Sequence, residues 1–204
     1  MKILNENFYQ NRIKEFLNDM REFISKNDFD SVYQEIFEDA NFQGAVTEFL
    51  INKAGINPLE FMDIVPNFFA YGAKIKTIHI PDHITYIGPC AFEGSSIESI
   101  NLHNGIKNIP DECFAWSQLK EVRLPYDLKK IAYRAFAGCL IEEIHLPHSL
   151  EEIEDSVFAE CDNLTKIYYD GTKYEWDNLI GNWDIARWLG ISNSYKHVDI
   201  IFER

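Results

Sequence analysis

The sequence has no stretch approaching the roughly 18 consecutive apolar residues that a membrane-spanning helix requires. Its first residues, Met1-Lys2-Ile3-Leu4-Asn5-Glu6-Asn7, turn polar and charged before any apolar run develops. No signal peptide is read there, and the expected location is the cytoplasm. Basic side chains are scarce: 19 Lys and Arg stand against 33 Asp and Glu, for a net charge of −14. The deficit runs through residues 1–72 (6 basic, 12 acidic) and 73–164 (8 and 15), and nearly vanishes over 165–204 (5 and 6). Such a chain is repelled by nucleic-acid phosphates and by anionic membrane. Direct binding to either is not expected, whereas a partner protein with a basic surface is.

Cysteines are few as well. Cys90, Cys113, Cys139 and Cys161 form no Cys-x-x-Cys pair, so the ligand spacing of common structural zinc sites is missing. They are read as free, buried thiols. Also missing are the glycine-rich phosphate loops GxxxxGK[ST] and GxGxxG, the zinc-protease motif HExxH and the nucleophile elbow GxSxG. No catalytic, cofactor or metal site is therefore expected, and the chain is not read as an enzyme. Two histidine pairs, His79 with His83 and His145 with His148, each straddle a proline, so their rings need not converge on a metal. The run Glu151-Glu152-Ile153-Glu154-Asp155 lacks the glycine of a calcium loop and is interrupted by an apolar residue. It is read as a solvated acidic ridge. Asn163-Leu164-Thr165 is a glycosylation sequon that has meaning only in an exported protein.

The sequence does contain a repeat. Aligned on Ile75, Ile97, Leu119, Ile141 and Leu164, the steps are 22, 22, 22 and 23 residues. Further apolar columns fall into register: Ile78, Ile100, Val122, Ile144 and Ile167; Ile80, Leu102, Leu124, Leu146 and Tyr169; Ile84, Ile106, Leu128 and Leu150; Ile87, Ile109, Ile131 and Ile153. The last column is aromatic: Phe92, Phe114, Phe136 and Phe158. Within each unit, apolar residues alternate as in a strand with one buried face. Pro81, Pro125 and Pro147 end those strands, because proline has no N–H for a ladder. One such unit cannot bury its own apolar face. Stacked units make a continuous core, with their strands about 4.8 Å apart in a parallel sheet. Cys139 and Cys161 share one repeat position, so adjacent coils bring them side by side and a disulfide is geometrically open to them. In a reducing compartment thiols are expected.

The segments Ile78-His79-Ile80-Pro81, Ile84-Thr85-Tyr86-Ile87-Gly88, Ala91-Phe92 and Ala135-Phe136-Ala137-Gly138-Cys139 resemble the BspA-like subfamily of leucine-rich repeats, over residues 73 to about 183. The resemblance implies an α+β repeat solenoid, a right-handed leucine-rich-repeat coil with a parallel β-sheet. It also implies binding to proteins or host surfaces. Many members are secreted, and this chain departs from them in showing no signal.

Three regions are expected: a helical N-terminal cap over 1–72, repeats over 73–166 and a mixed C-terminal cap over 167–204. Ile13, Phe16, Leu17, Met20, Phe23 and Ile24 fall at helical spacing, as do Val32, Ile36 and Phe37. Asn41 is placed at the start of a helix holding Val46, Phe49, Leu50 and Ile51, with Gly55 past its end. Asn57-Pro58 is read as the start of another, running through Phe61, Met62, Ile64 and Val65 to a break at Pro66. At the far end, Asp170-Gly171 signals a turn after the strand Ile167–Tyr169. A short helix is expected over Ile185–Leu189 and a final strand over His197–Phe202. Trp176, Trp183 and Trp188 are read as cap core.

Binding is expected on the outward positions of the strands. One column is Thr77, Ser99, Glu121, Glu143 and Lys166, and the next is His79, Asn101, Arg123, His145 and Tyr168. A second clue is aromatic residues that the repeat does not require: Trp116 where Gly94, Gly138 and Glu160 stand, Tyr126 where Asp82, Asn104 and His148 stand, and Tyr133 where Pro89, Asp111 and Asp155 stand. The candidate contacts are thus Thr77, His79, Asn101, Glu121, Arg123, Glu143 and His145, with a hot spot at Trp116, Tyr126 and Tyr133. The leading expectation is a cytoplasmic bacterial or phage interaction protein, an inhibitor whose acidic surface engages a basic site on its partner. The alternative is a cell-surface adhesin-type module exported by a signal outside this sequence.

Overall fold

The computed structural model describes residues 40–53, 55–181 and 198–203. The chain winds as a solenoid of parallel strands. On one side lie β1 (Ser99–Asn101), β3 (Glu121–Arg123), β5 (Glu143–Leu146), β7 (Lys166–Tyr169) and β8 (Asp199–Phe202). On a second side lie the two-residue strands β2 (Asn108–Ile109), β4 (Lys130–Ile131) and β6 (Glu152–Ile153). Every paired strand is parallel, and the register follows the repeat: Ile100 pairs with Val122, Ile109 with Ile131, Ile131 with Ile153, and Ile144 with Ile167. The isolated bridge Val65↔Ile87 continues the second column toward the N-terminus.

The aromatic column forms a stack. Phe92, Phe114, Phe136 and Phe158 are fully buried, and successive ring centroids lie 5.3, 5.5 and 5.8 Å apart within 11° of parallel. The backbone explains the regularity. The amide of Phe92 donates to Cys113 O (2.8 Å), that of Phe114 to Ala135 O (2.9 Å) and that of Phe136 to Val157 O (3.0 Å). Each ring is therefore carried to the next coil by a hydrogen bond that the coil must make in any case, since a buried amide cannot stay unpaired. Ser95, Ser117, Cys139 and Cys161 occupy one small-residue column below this stack. All four cysteines are buried free thiols. Cys139 Sγ donates to Phe114 O (3.1 Å) and Cys161 Sγ to Phe136 O (3.0 Å), so each thiol is aimed at a carbonyl of a preceding coil.

The turn around each phenylalanine needs two residues in the left-handed region. One column is Phe68, Cys90, Glu112, Arg134 and Ser156, and the other is Gly72, Gly94, Trp116, Gly138 and Glu160, all with φ between 52° and 67°. Glycine fills three positions of the second column and none of the first. The non-glycine residues carry a strain of about 1–2 kcal/mol each, tolerated because the inter-coil hydrogen bonds on both sides fix the turn.

The region before the aligned units is partly a further coil. The expected helix from Pro58 is a single 3-10 turn, Pro58–Phe61, capped by Asn57, whose Oδ1 accepts from the amide of Leu59 (3.2 Å). Asn57 Nδ2 also donates to His79 O, 2.7 Å away in the next unit. The chain then extends so that Val65 can bridge Ile87. Helical spacing and repeat spacing both place Met62 and Val65 inward, and pairing with the next coil decides between them. The helix expected around Val46 to Ile51 is present as α1, Ala40–Asn52, with Gly55 left-handed beyond it (φ 66°). The start expected at Asn41 falls one residue inside it. α1 covers the coil end: Thr47 Oγ1 donates to Phe69 O (2.6 Å), Asn52 Nδ2 donates to Lys74 O (2.8 Å), and Glu48 accepts from Lys74 N (2.7 Å). A side-chain Cβ at Gly44 would sit 1.8 Å from Tyr71 O, so only glycine admits this approach. The helices read before residue 40 and the one at Ile185–Leu189, with Trp183 and Trp188, lie outside the described residues.

At the other end the final strand is Asp199–Phe202, slightly shorter than expected and paired with β7. Between them comes an unexpected helix, α2, Lys173–Ile180. It has a full capping box: Thr172 Oγ1 accepts from Glu175 N (3.2 Å), and Glu175 Oε2 accepts from Thr172 N (2.8 Å). The Thr-x-x-Glu signature was legible in the sequence. Trp176 is buried against Tyr169 (5.3 Å) and Phe202 (6.5 Å), which makes it core of this end.

Candidate functional site

The outward strand positions meet in a groove of about 1030 Å³. Its walls are Thr77, Ser99, Asn101, Lys120, Glu121, Arg123, Glu142, Glu143 and His145, and Ile78, Ile100, Val122, Leu140 and Ile144 supply apolar surface. It crosses four successive coils of the strand face, from Thr77 to His145. β1 pairs with β3, and β5 with β7 and β8, as two separate sheets. Ile100 and Ile144 are 5% and 1% exposed, whereas Val122 and Leu140 are partly exposed. The groove therefore combines an apolar floor with polar and charged walls of both signs.

Six of the candidate contacts line this groove, Thr77, Asn101, Glu121, Arg123, Glu143 and His145, together with Ser99 of the same outward columns. His79 is exposed and stands outside the lining. Trp116, Tyr126 and Tyr133 are 47%, 70% and 43% exposed, and none of them lines the groove. Tyr126 lies in the turn after β3, while Tyr133 and Trp116 belong to the phenylalanine turns, so proximity in sequence does not make the three one patch on the strand face.

Lys120 and Glu142 line the groove and were not singled out. They belong to the column just before each strand, Lys76, Glu98, Lys120 and Glu142, which alternates in sign at the repeat pitch. Glu98 is held between Lys76 (2.9 Å) and Lys120 (3.2 Å). These two ammonium groups, Lys76 first, hold its carboxyl below the usual range. The alternation was the available signal.

The acidic ridge is paired rather than merely solvated. Glu151 meets Lys129 (2.6 Å), Glu152 meets Lys130 (3.1 Å), and Glu154 meets Lys130 while also accepting from Tyr133 N (2.9 Å). Ile153 points inward and is buried. The two histidine pairs are also engaged separately. His83 Nε2 lies 2.8 Å from Met62 O, His145 stacks on Tyr168 (4.4 Å, 7°), and His148 Nδ1 lies 3.4 Å from Asp170 Oδ2. Among the described residues, no helix is long and apolar enough to cross a membrane.

The fold and its repeat face define a leucine-rich-repeat solenoid. Residues 56–176 match the model of the BspA type leucine rich repeat region in six copies, and the chain belongs to that family. The match begins inside the coil that sequence reading had taken as helical. Among solved structures, a leucine-rich cell surface protein from Faecalibacterium prausnitzii is similar at 21% identity and a TM-score of 0.44, over 54% of this chain and 37% of its own. A leucine-rich repeat protein from Bacteroides ovatus is similar at 19% identity and a TM-score of 0.37, over 53% of this chain and 47% of its own. The chain thus spans less than half the length of either. None of the curated proteins matches it.

Proposed function

We propose that this chain is a non-enzymatic protein-binding module that takes its partner in the groove on its strand face. The observation that carries the reading is the groove itself: Val122, at the edge of the core, and Leu140 stay partly exposed between charged walls formed by the outward strand positions. Interfaces are anchored by desolvated apolar groups and take their specificity from the charges around them. Glu121, Glu142 and Glu143 suit basic side chains of a partner, and Arg123 suits a carboxylate. With 33 acidic residues against 19 basic, the long-range field favours a partner whose surface is basic overall.

The further reading is an inhibitor-like interaction protein working in the cytoplasm. The thiols aimed at buried carbonyls support a reduced state. The same face would serve a surface-exposed adhesin equally well, and fractionation of the native cell separates the two locations.

The test is capture of the partner from a native-cell lysate with the wild-type chain and with an Arg123→Glu/Glu143→Lys variant. A control, Lys129→Glu/Glu151→Lys, swaps a paired ladder away from the groove. The expected result is a partner retained by wild type and control, lost by the groove variant, and weakened by salt. Retention by all three refutes the groove.

A further inference from the structure

One coil departs from the repeat at a place that the fold does not require. The column that holds Ala115, Ala137 and Ala159 as a small buried cluster holds Glu93 in the first aligned unit. The left-handed column, which varies from coil to coil, supplies Cys90 there and Glu112 in the next coil. These three side chains face one point. Cys90 Sγ, a Glu93 carboxylate oxygen and a Glu112 carboxylate oxygen all lie within 4.8 Å of one another, and Cys90 Sγ is 3.8 Å from Glu112 Oε2.

From this juxtaposition we propose that Cys90, Glu93 and Glu112 form a binding site for a divalent cation of the zinc, cobalt or cadmium type, joining two adjacent coils. Tetrahedral Zn²⁺ with bonds of about 2.3 Å to sulfur and about 2.1 Å to oxygen places its sulfur and oxygen ligands about 3.6 Å apart. The Cys90–Glu112 separation is already close to that. One thiolate and two carboxylates are a borderline-soft set that suits zinc-like ions better than calcium or magnesium. A fourth position is left for water. Cysteine spacing argued against zinc because it considers only Cys-x-x-Cys pairs, whereas the 22-residue pitch brings Cys90 and Glu112 together across coils.

One protein cation stands at the edge of the site. Arg134 lies outside it, with Nε 3.8 Å from Glu112 Oε1 and Nη2 3.6 Å from Glu160 Oε1, so Glu112 Oε2 still faces the thiol. Without a cation, burial, followed by Glu93 and Glu112, pushes the Cys90 thiol up to about 12. Glu93 is raised by burial and by Glu112, against the lowering effect of its hydrogen bond to Cys90 and of Arg134. Cys113, the neighbouring thiol, is fully buried and also raised.

The experiment is a Co²⁺ titration of the full chain with its thiols kept reduced, read by thiolate-to-cobalt charge-transfer absorption and repeated with Cd²⁺ by calorimetry. The expected result is one ion per chain, a charge-transfer band absent from Cys90→Ser, and affinity at least about tenfold lower in Glu93→Gln and in Glu112→Gln. Circular dichroism confirms that the variants are folded. Absence of the band from the wild-type chain at mildly alkaline pH overturns the site. A band that persists in Cys90→Ser overturns it too, by assigning the metal to another thiol.

Discussion

Arg134 holds its guanidinium carbon 5.9 Å from the centroid of the Trp116 ring. Trp116 itself is held in the left-handed region at φ 59° and lies over Gly138, where a Cβ would come within 2.4 Å of the indole. A large aromatic residue thus sits half-exposed at a position where two neighbouring coils use glycine. Glu160 stands in the same column at the same φ of 59°, so the turn accepts a side chain there at a strain cost.

Trp116→Gly tests that. Relief of about 1–2 kcal/mol of backbone strain is offset by about 0.5–1 kcal/mol of lost cation–π contact at an exposed site and by about 0.5–1 kcal/mol of glycine entropy. Urea denaturation should find stability nearly unchanged. A loss of stability well above about 1 kcal/mol would make Trp116 a structural cover instead.

The phenylalanine stack should respond in the opposite way. Phe114→Ala removes the second ring of four and leaves a void between Phe92 and Phe136, at a cost of about 3–5 kcal/mol. Equilibrium denaturation measures it. A cost below about 1 kcal/mol would mean that the stacked rings are not the core.

Arg123 is exposed on β3, so its removal bears on recognition rather than folding. Arg123→Ala should shift stability by no more than about 0.5 kcal/mol and weaken the captured partner. Calorimetric titration against that partner, beside thermal denaturation, separates the two effects.

The cap on α2 gives a local check on the C-terminal end. Thr172→Ala removes the side-chain half of the capping box, leaving the amide of residue 172 to donate to Glu175, and should cost about 1 kcal/mol, whereas Tyr174→Ala, at an exposed helical site, should cost less. Denaturant midpoints of the two variants decide the order.

The thiols fix a direction for alkaline pH. Cys90, Cys113 and Cys139 are all raised above the usual 9.0, in each case foremost by burial. The folded state therefore retains protons that the unfolded state gives up. This contribution is fully present below pH 9.0 and is lost as pH rises toward about 12, the value reached by Cys90. Denaturation at about pH 8 and about pH 10.5 should show wild type losing more stability than Cys90→Ser. An equal loss would show that Cys90 titrates as it does in the unfolded chain.

The residues Ile75 to Leu164 determined the solenoid by themselves. A side chain recurring every 22 residues must line one interior when each unit is too small to bury its own apolar face. The outward columns at Glu121 and Glu143 followed from strand alternation, which is equally local. Tertiary pairing decided the rest. Met62 and Val65 satisfy a helical and a coil pattern alike, and only the bridge to Ile87 selected the coil. Glu151 to Asp155 reads as unpaired acid until Lys129 and Lys130 arrive from the coil before it. The groove exists because the outward positions of four coils are stacked side by side, and the meeting of Cys90, Glu93 and Glu112 exists because a turn of one coil lies on the next. A linear pattern specifies which face each residue occupies. Which faces touch depends on inter-coil hydrogen bonds and left-handed turns, and those are closed only when the whole stack forms.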